Sequence, residues 1–338
     1  MNKSALNLLF AVSIASLSAG CSGSDSDNDV SRDLFNLGTT SNTESRNGLP
    51  FAGATEAEMQ EFLDLDVGES RTVATTLLRV SGPSGTPDVG ASEVTLRVTR
   101  TAEDDQIESF TLTLDYDGER LVMTGAELAE LESPYIELPD GRFLTINGVR
   151  TGSESGVLQI EELDDDENTI GFSHFVAGLE TNPDTLVTLG SSPETGNAIY
   201  SGSFIGAGTR MNADNTVIDG GALAGVYGEV EITASFEDML VGGSIALVAD
   251  ESDVEYEISF EDVAIEGNGF STTDTSTSCS GGATTCTGTV QLGGAFFGDQ
   301  AQDVAGLVDF DLTSIGGEDG DERLVGGGGY AATVQPAP

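Results

Sequence analysis

The sequence predicts an all-β protein, a small antiparallel domain followed by an eight-stranded antiparallel β-barrel, and three observations carry the prediction. Apolar residues alternate with polar ones over strand-length runs bounded by Gly, Asp and Asn. The 338 residues include 44 Gly and no Trp, a composition of strands and turns more than of long helices. The connections between the later runs are short, which favours antiparallel neighbours, and an eight-stranded sheet protects its edges best by closing on itself. Side chains fill a barrel of that size, so no internal ligand cavity is required.

The chain opens with "MNKSALNLLFAVSIASLSAGC", a basic start at Lys3 and an apolar stretch from Ala5 to Leu17. Its length and small-residue ending fit a secretory leader over residues 1–20 and fall short of a spanning helix. Ser18-Ala19-Gly20-Cys21 resembles the lipobox of bacterial lipoproteins, in which the cysteine is lipidated and becomes the new N-terminus. Buried methylenes contribute about 0.8 kcal/mol each, so several acyl chains on Cys21 would anchor the protein stably. Ser22 stands where Asp would signal inner-membrane retention. Outer-membrane delivery, with the lipoprotein export machinery as a partner, is therefore expected.

Residues 21–50 are polar, charged and turn-rich, and read as a flexible acidic tether. Residues 51–166 are expected to form the small antiparallel domain. It begins with one short helix, since Thr55 and Glu58 have capping-box spacing and Met59, Phe62 and Leu63 share a helical face. Val94, Leu96 and Val98 then mark one strand face, and Phe110, Leu112, Leu114 and Tyr116 alternate up to Asp117-Gly118, a two-residue hairpin signal. Asp140-Gly141 and Asn147-Gly148 predict further turns. The acidic stretch "ELDDDENTIGF" reads as a linker. Asp164, Asp166 and Asn168 mimic the opening of a calcium loop, but Thr169 and Phe175 stand where that loop needs Gly and Glu.

Residues 167–338 carry eight strand-like runs, at 170–179, 197–207, 221–236, 239–249, 253–266, 286–297, 304–312 and 322–334. In one, Val254, Tyr256, Ile258 and Phe260 alternate with Glu255, Glu257, Ser259 and Glu261, the pattern of a sheet with one wet side. Cys279 and Cys286 bracket a Gly- and Thr-rich hairpin tip, so a disulfide can close it. For a loop of eight residues the chain-entropy relation gives roughly 2.5 kcal/mol. Neither a redox motif nor a metal site is indicated, because there is no CxxC and His174 is the only histidine. In "GGAFFGDQAQDVAGLVDF", Phe296 and Phe297 must point to opposite faces, Gly293 and Gly294 permit close approach, and the polar elbow turns the chain.

That segment resembles the signature ending the β-barrel domain of transferrin-binding protein B and its relatives, which runs Gly-x-Phe-(Phe/Tyr)-Gly-Pro-x-Ala-x-Glu-x-Gly-Gly. Gly294, Phe296, Phe297, Gly298, Ala301 and Gly306 match; Asp299 replaces Pro, Asp303 replaces Glu, and Ala305 replaces the first Gly of the pair. "TGNAIYSGSFIGAG" and "FEDMLVGGSIAL" resemble two upstream family steps. The resemblance implies a handle domain preceding the barrel in a surface lipoprotein of the Gram-negative outer membrane. It also implies capture of a protein or solute through barrel and handle loops, with iron acquisition as one setting. In that family some two-lobed relatives bind transferrin, and single-lobed ones bind haemoglobin complexes or complement regulators, or have no known ligand. One lobe is expected in these 338 residues, and no individual ligand-binding residue carries over.

Charge narrows the partners. Twelve Lys and Arg against 58 Asp and Glu give 12 − 58 = −46, and beyond Arg150 only Arg210 and Arg323 are basic. Such a polyanion is a poor partner for nucleic acid and calls for a neutral or cationic ligand surface. Catalysis has little support. His174 lies within a strand, Gly242 to Ala246 lack a nucleophile elbow, and Gly326 to Gly329 precede no helix that would make a phosphate cradle. No cofactor is implied. A protective acidic coat protein and a secreted hydrolase on a β-scaffold stand as the alternatives to a binder.

Overall fold

The computed structural model describes residues 66–68, 70–82, 88–100, 110–116, 119–124, 135–138, 140–151, 155–178, 180–192, 195–212, 215–218, 223–283, 285–317 and 320–335. The leader, Cys21, the tether and the helix expected over 55–63 lie outside them. Two antiparallel sheets account for the strands. The first contains β1 (Ser70–Ser81), β2 (Asp88–Arg100), β3 (Phe110–Tyr116), β4 (Glu119–Thr124), β5 (Tyr135–Glu137), β6 (Phe143–Thr151), β7 (Ser155–Leu163) and β8 (Thr169–Gly178). Its order is β4-β3-β2-β1-β8-β7-β6-β5.

Three sequence expectations are corrected in this sheet. The run 170–179, counted with the barrel, is β8 and pairs with β1 and β7. The cause is that the acidic stretch is a hairpin tip, not a linker: one Asp164 carboxylate oxygen accepts from the Asp166 and Asn168 amides at 3.0 and 2.8 Å, and Glu167 takes a φ of 63°. An Asp that caps its own turn looks in sequence like any solvated acidic residue. Asn147-Gly148, expected to be a turn, instead lies inside β6 at a register shift opposite β7. A glycine in a strand can mark a bulge as readily as a turn. By contrast, Tyr116 pairs with Glu119 across the Asp117-Gly118 position, and Gly141 sits at a φ of 90° between β5 and β6.

A short helix, α1 (Pro183–Gly190), joins the sheets; the Asn182 side chain caps it and Pro183 opens it. The second sheet holds β9 (Asn197–Asn212), β10 (Ala224–Ser235), β11 (Leu240–Ala249), β12 (Glu255–Ala264), β13 (Gly269–Thr272), β14 (Ser276–Cys279), β15 (Thr285–Phe297), β16 (Asp303–Gly317) and β17 (Gly320–Val334). Its order is β13-β15-β16-β17-β9-β10-β11-β12-β14. β13 and β14 are two halves of the run 269–279. The first half pairs with β15 and the second with β12, so one strand with a kink joins the two ends of the sheet. This closes an eight-stranded barrel, and the eighth strand is 269–279, a run not anticipated as a strand.

Rings fill the barrel. Tyr200, Phe204, Tyr256, Phe270, Phe296, Phe310 and Tyr330 belong to one cluster with aliphatic residues of the surrounding strands. Glycine makes this possible on the inner wall: a Cβ on Gly306 would collide with the Gly293 carbonyl and the Tyr330 ring. β9, β15, β16 and β17 are buried on both faces over much of their length, because the first sheet lies on their outer side. There Leu78, Val157 and Val176 pack with Ile205, Ala295, Phe297, Ala305, Leu307 and Ala331. The tetraglycine of β17 serves both faces. Gly326 and Gly328 back onto β9, while Gly327 and Gly329 lie beneath Leu78 and Val157.

Candidate functional site

Antiparallel connectivity gives the barrel two distinct ends. One gathers the turns 235–240, 264–269 and 297–303, and α1 closes it with a fully buried Leu186 in the barrel core. Gly190 of this helix sits against the Phe236 carbonyl with no room for a Cβ. The other end gathers the connections 212–224, 249–255, 279–285 and 317–320, and is termed the open end because among the described residues no helix covers it.

All six signature residues lie at or toward the capped end, and none is a free surface group. Phe296 enters the barrel core, with ring centroids 5.3 Å from Phe236, 5.8 Å from Tyr200 and 6.0 Å from Phe270. Phe297 points the other way, into the space between the sheets. Both rings are fully buried. Gly298 and Ala301 take φ of 86° and 54°, which turns the elbow. Their carbonyls accept from the Thr181 hydroxyl at 2.7 Å and the Tyr200 hydroxyl at 2.8 Å. The Thr181 amide also donates to the Phe296 carbonyl at 2.9 Å. Gly294 and Gly306 face the Tyr330 ring. Asp303, at the signature's acidic position, is fully buried and accepts from the Ser155 amide at 2.9 Å, across the sheet interface. The signature is thus the joint where linker, first sheet and barrel meet.

The open end is built differently. Inside its mouth the Arg210 guanidinium donates to one Glu322 oxygen at 2.8 and 3.1 Å, and the Ser252 hydroxyl donates to the other at 3.0 Å. The Tyr256 hydroxyl donates to Ser314 Oγ at 3.2 Å, and burial pushes this phenol up to about 12. The Cys279–Cys286 disulfide, with Cα atoms 5.8 Å apart, packs against the core at the same end. Around the rim Asn215, Asp250, Glu251, Asp253, Gly281, Gly282 and Asp321 are exposed. Sequence reasoning missed the mouth network. Its signal was Arg210 itself, a lone cation beside the apolar run Phe204–Ala207 of β9, which requires a buried partner.

His174 lies on the barrel-facing side of the first sheet, fully buried, with Nε2 2.8 Å from Gln159 Nε2. Burial lowers its pKa to about 3, so the ring is neutral at ordinary pH. Among the described residues, no three His, Cys, Asp or Glu are placed to hold a metal ion, and no helix is long and apolar enough to cross a membrane.

Asp309, on the outer face of β16, has its pKa raised to about 6 by burial and by the neighbouring Asp311 carboxylate. Its folded value lies above its unfolded value, so the native state binds the extra proton and gains stability as pH falls from about 6 toward 4. Asp309→Asn is expected to raise the melting temperature at pH 8 and to leave it nearly unchanged at pH 4. An equal shift at both values would contradict the assignment.

Residues 192–332 match the family model described as C-lobe and N-lobe beta barrels of Tf-binding protein B. Among solved structures, the chain is similar to the vaccine antigen transferrin binding protein B of Haemophilus parasuis Hp5, at 18% identity and a TM-score of 0.38. The match covers 79% of this chain and 46% of that one, so the chain spans about half the length of that relative. A protein of unknown function from the DUF3598 family of Nostoc punctiforme shares 10% identity at a TM-score of 0.22, over 82% of this chain and 98% of that one. No curated protein matches the sequence. The matched residues run from just before β9 into β17, the span of the second sheet.

Proposed function

We propose, for a chain whose residues 192–332 form a transferrin-binding protein B-like barrel, that it is a surface-exposed lipoprotein of the outer membrane. In this reading it captures a protein or solute in nutrient acquisition, with iron as the first candidate. The observation that carries this reading is the match of the barrel to a family of binding proteins. The geometry supports it in one respect: rings fill the interior and the signature is buried, so the open-end loops and the handle are what a partner can reach. The exposed rim residues are acidic or small, which selects a neutral or cationic partner surface. Binding, not catalysis, is the role such a surface serves.

In this reading Cys21 carries the lipid, residues 1–20 are removed, and residues 21–50 hold the folded part off the membrane. Two measurements test it together. Protease shaving of intact cells is expected to remove the protein, and Cys21→Ala is expected to release it from the outer-membrane fraction. Purified residues 22–338 are expected to bind iron-loaded transferrin saturably, with a Kd of roughly 1 μM or tighter that weakens as salt rises. Protection from shaving together with no saturable binding would overturn the reading.

A further inference from the structure

The strand that closes the barrel is bonded on one side at a time. Gly269–Thr272 pairs with Leu292–Ala295 of β15, and Ser276–Cys279 pairs with Tyr256–Ser259 of β12. Among the described residues no ladder joins β14 to β15 and none joins β13 to β12. The wall therefore has two half-seams without a strand ladder, one toward each end, and at the capped end Glu266 and Gly269 exchange backbone hydrogen bonds at the turn between β12 and β13. Something other than a ladder must hold each of them, because an unpaired strand margin frays readily.

The two half-seams are held by different chemistry. Toward the capped end, Phe260 of β12 stacks on Phe270 of β13, with centroids 6.1 Å apart and planes 19° from parallel. Toward the open end, Cys279 of β14 is bonded to Cys286 of β15. Both cysteines are only partly buried, so a small reagent can reach them. The β14 side is otherwise tied to β12 alone, and the β15 side to β16.

We propose that the Cys279–Cys286 disulfide is a redox-sensitive lock on the barrel wall, whose reduction opens the open end while the capped end stays shut. The step is thiol–disulfide exchange with a dithiol reductant. Its thiolate attacks one cystine sulfur, the S–S bond breaks, and the second reductant thiol displaces the resulting mixed disulfide. Two electrons pass to the protein, Cys279 and Cys286 leave as thiols, and the reductant ends as a disulfide. In the oxidised form the 249–255 and 279–285 loops are held as one fixed rim. In the reduced form β14 and the facing part of β15 separate and fray.

Hydrogen exchange on the purified mature chain tests this in three states: oxidised, reduced with dithiothreitol, and Cys279→Ser/Cys286→Ser. Mass spectrometry of the intact chain confirms reduction by the two added hydrogens. Amides of 276–279 and 285–291 are expected to exchange about tenfold faster in the reduced and double-variant proteins, while 269–272 and 292–297 stay within about twofold of the oxidised rates. Unchanged rates at 276–279 and 285–291 would overturn the proposal. So would an acceleration spread evenly over 197–334, which would make the disulfide a global stabiliser and not a local lock.

Discussion

Phe296→Ala is expected to destabilise the protein by about 3–5 kcal/mol, the range for deleting a fully buried aromatic ring from a packed core. The ring is completely buried and touches three others, Tyr200, Phe236 and Phe270, each brought in by a different strand or turn of the barrel. Such aromatic pairs add about 0.5–1.5 kcal/mol beyond area burial, so losing several at once places Phe296 toward the upper end of that range. Phe297→Ala removes an equally buried ring from a different place, the layer between barrel and first sheet. Its expected effect is on the coupling of the two sheets: urea unfolding followed by far-ultraviolet circular dichroism should separate into two steps. Phe296→Ala should keep one step at a lower midpoint. A Phe296→Ala cost below about 1 kcal/mol would show that the strands do not enclose a common core.

How much of this was legible in the sequence depended on whether a residue's role was set locally. The alternation from Val254 to Phe260 placed four residues inside and their neighbours outside, and the structure buries Val254, Tyr256, Ile258 and Phe260 while leaving Glu255 and Glu257 exposed. A strand paired on both sides with one wet face writes that pattern directly. The closing run 269–279 writes none. It has one large apolar residue, Phe270, among Ser and Thr, because each half contributes to only one ladder and its second half lines the rim. The run 170–179 was readable as a strand but not as a member of the first sheet. Sheet membership was decided by whether Asp164 caps a five-residue turn or floats in a linker, and the two look alike in sequence. The helix 183–190 did leave a trace, Asn182-Pro183 at its start, but a two-turn helix with one fully buried residue has little periodicity to detect. The signature residues were found by resemblance, and only the structure assigns their work, the joining of linker, first sheet and barrel.

The mouth of the barrel gives the second large effect. Arg210→Met is expected to cost about 3–5 kcal/mol, because it strands the Glu322 carboxylate in a site from which water is largely excluded. The side chains of Arg210 and Glu322 are 6% and 9% exposed, and the remaining donor to that carboxylate, the Ser252 hydroxyl, supplies no charge. Glu322→Leu is expected to be nearly as costly, since it removes the carboxylate to which the buried guanidinium donates twice. The double variant Arg210→Met/Glu322→Leu removes both charges and fills their volume with apolar atoms. Buried pairs replaced in this way are often neutral or more stable than the original, so the double variant should recover most of the loss. Urea unfolding of the four proteins gives the coupling energy directly, and it should exceed either single loss, because the double variant recovers most of both. Additive single effects below about 1 kcal/mol would mean that water reaches the pair freely and that the mouth is a solvated pore. A large coupling would instead mean that the barrel is sealed behind this ion pair, leaving the rim loops, not the interior, as the surface a partner meets.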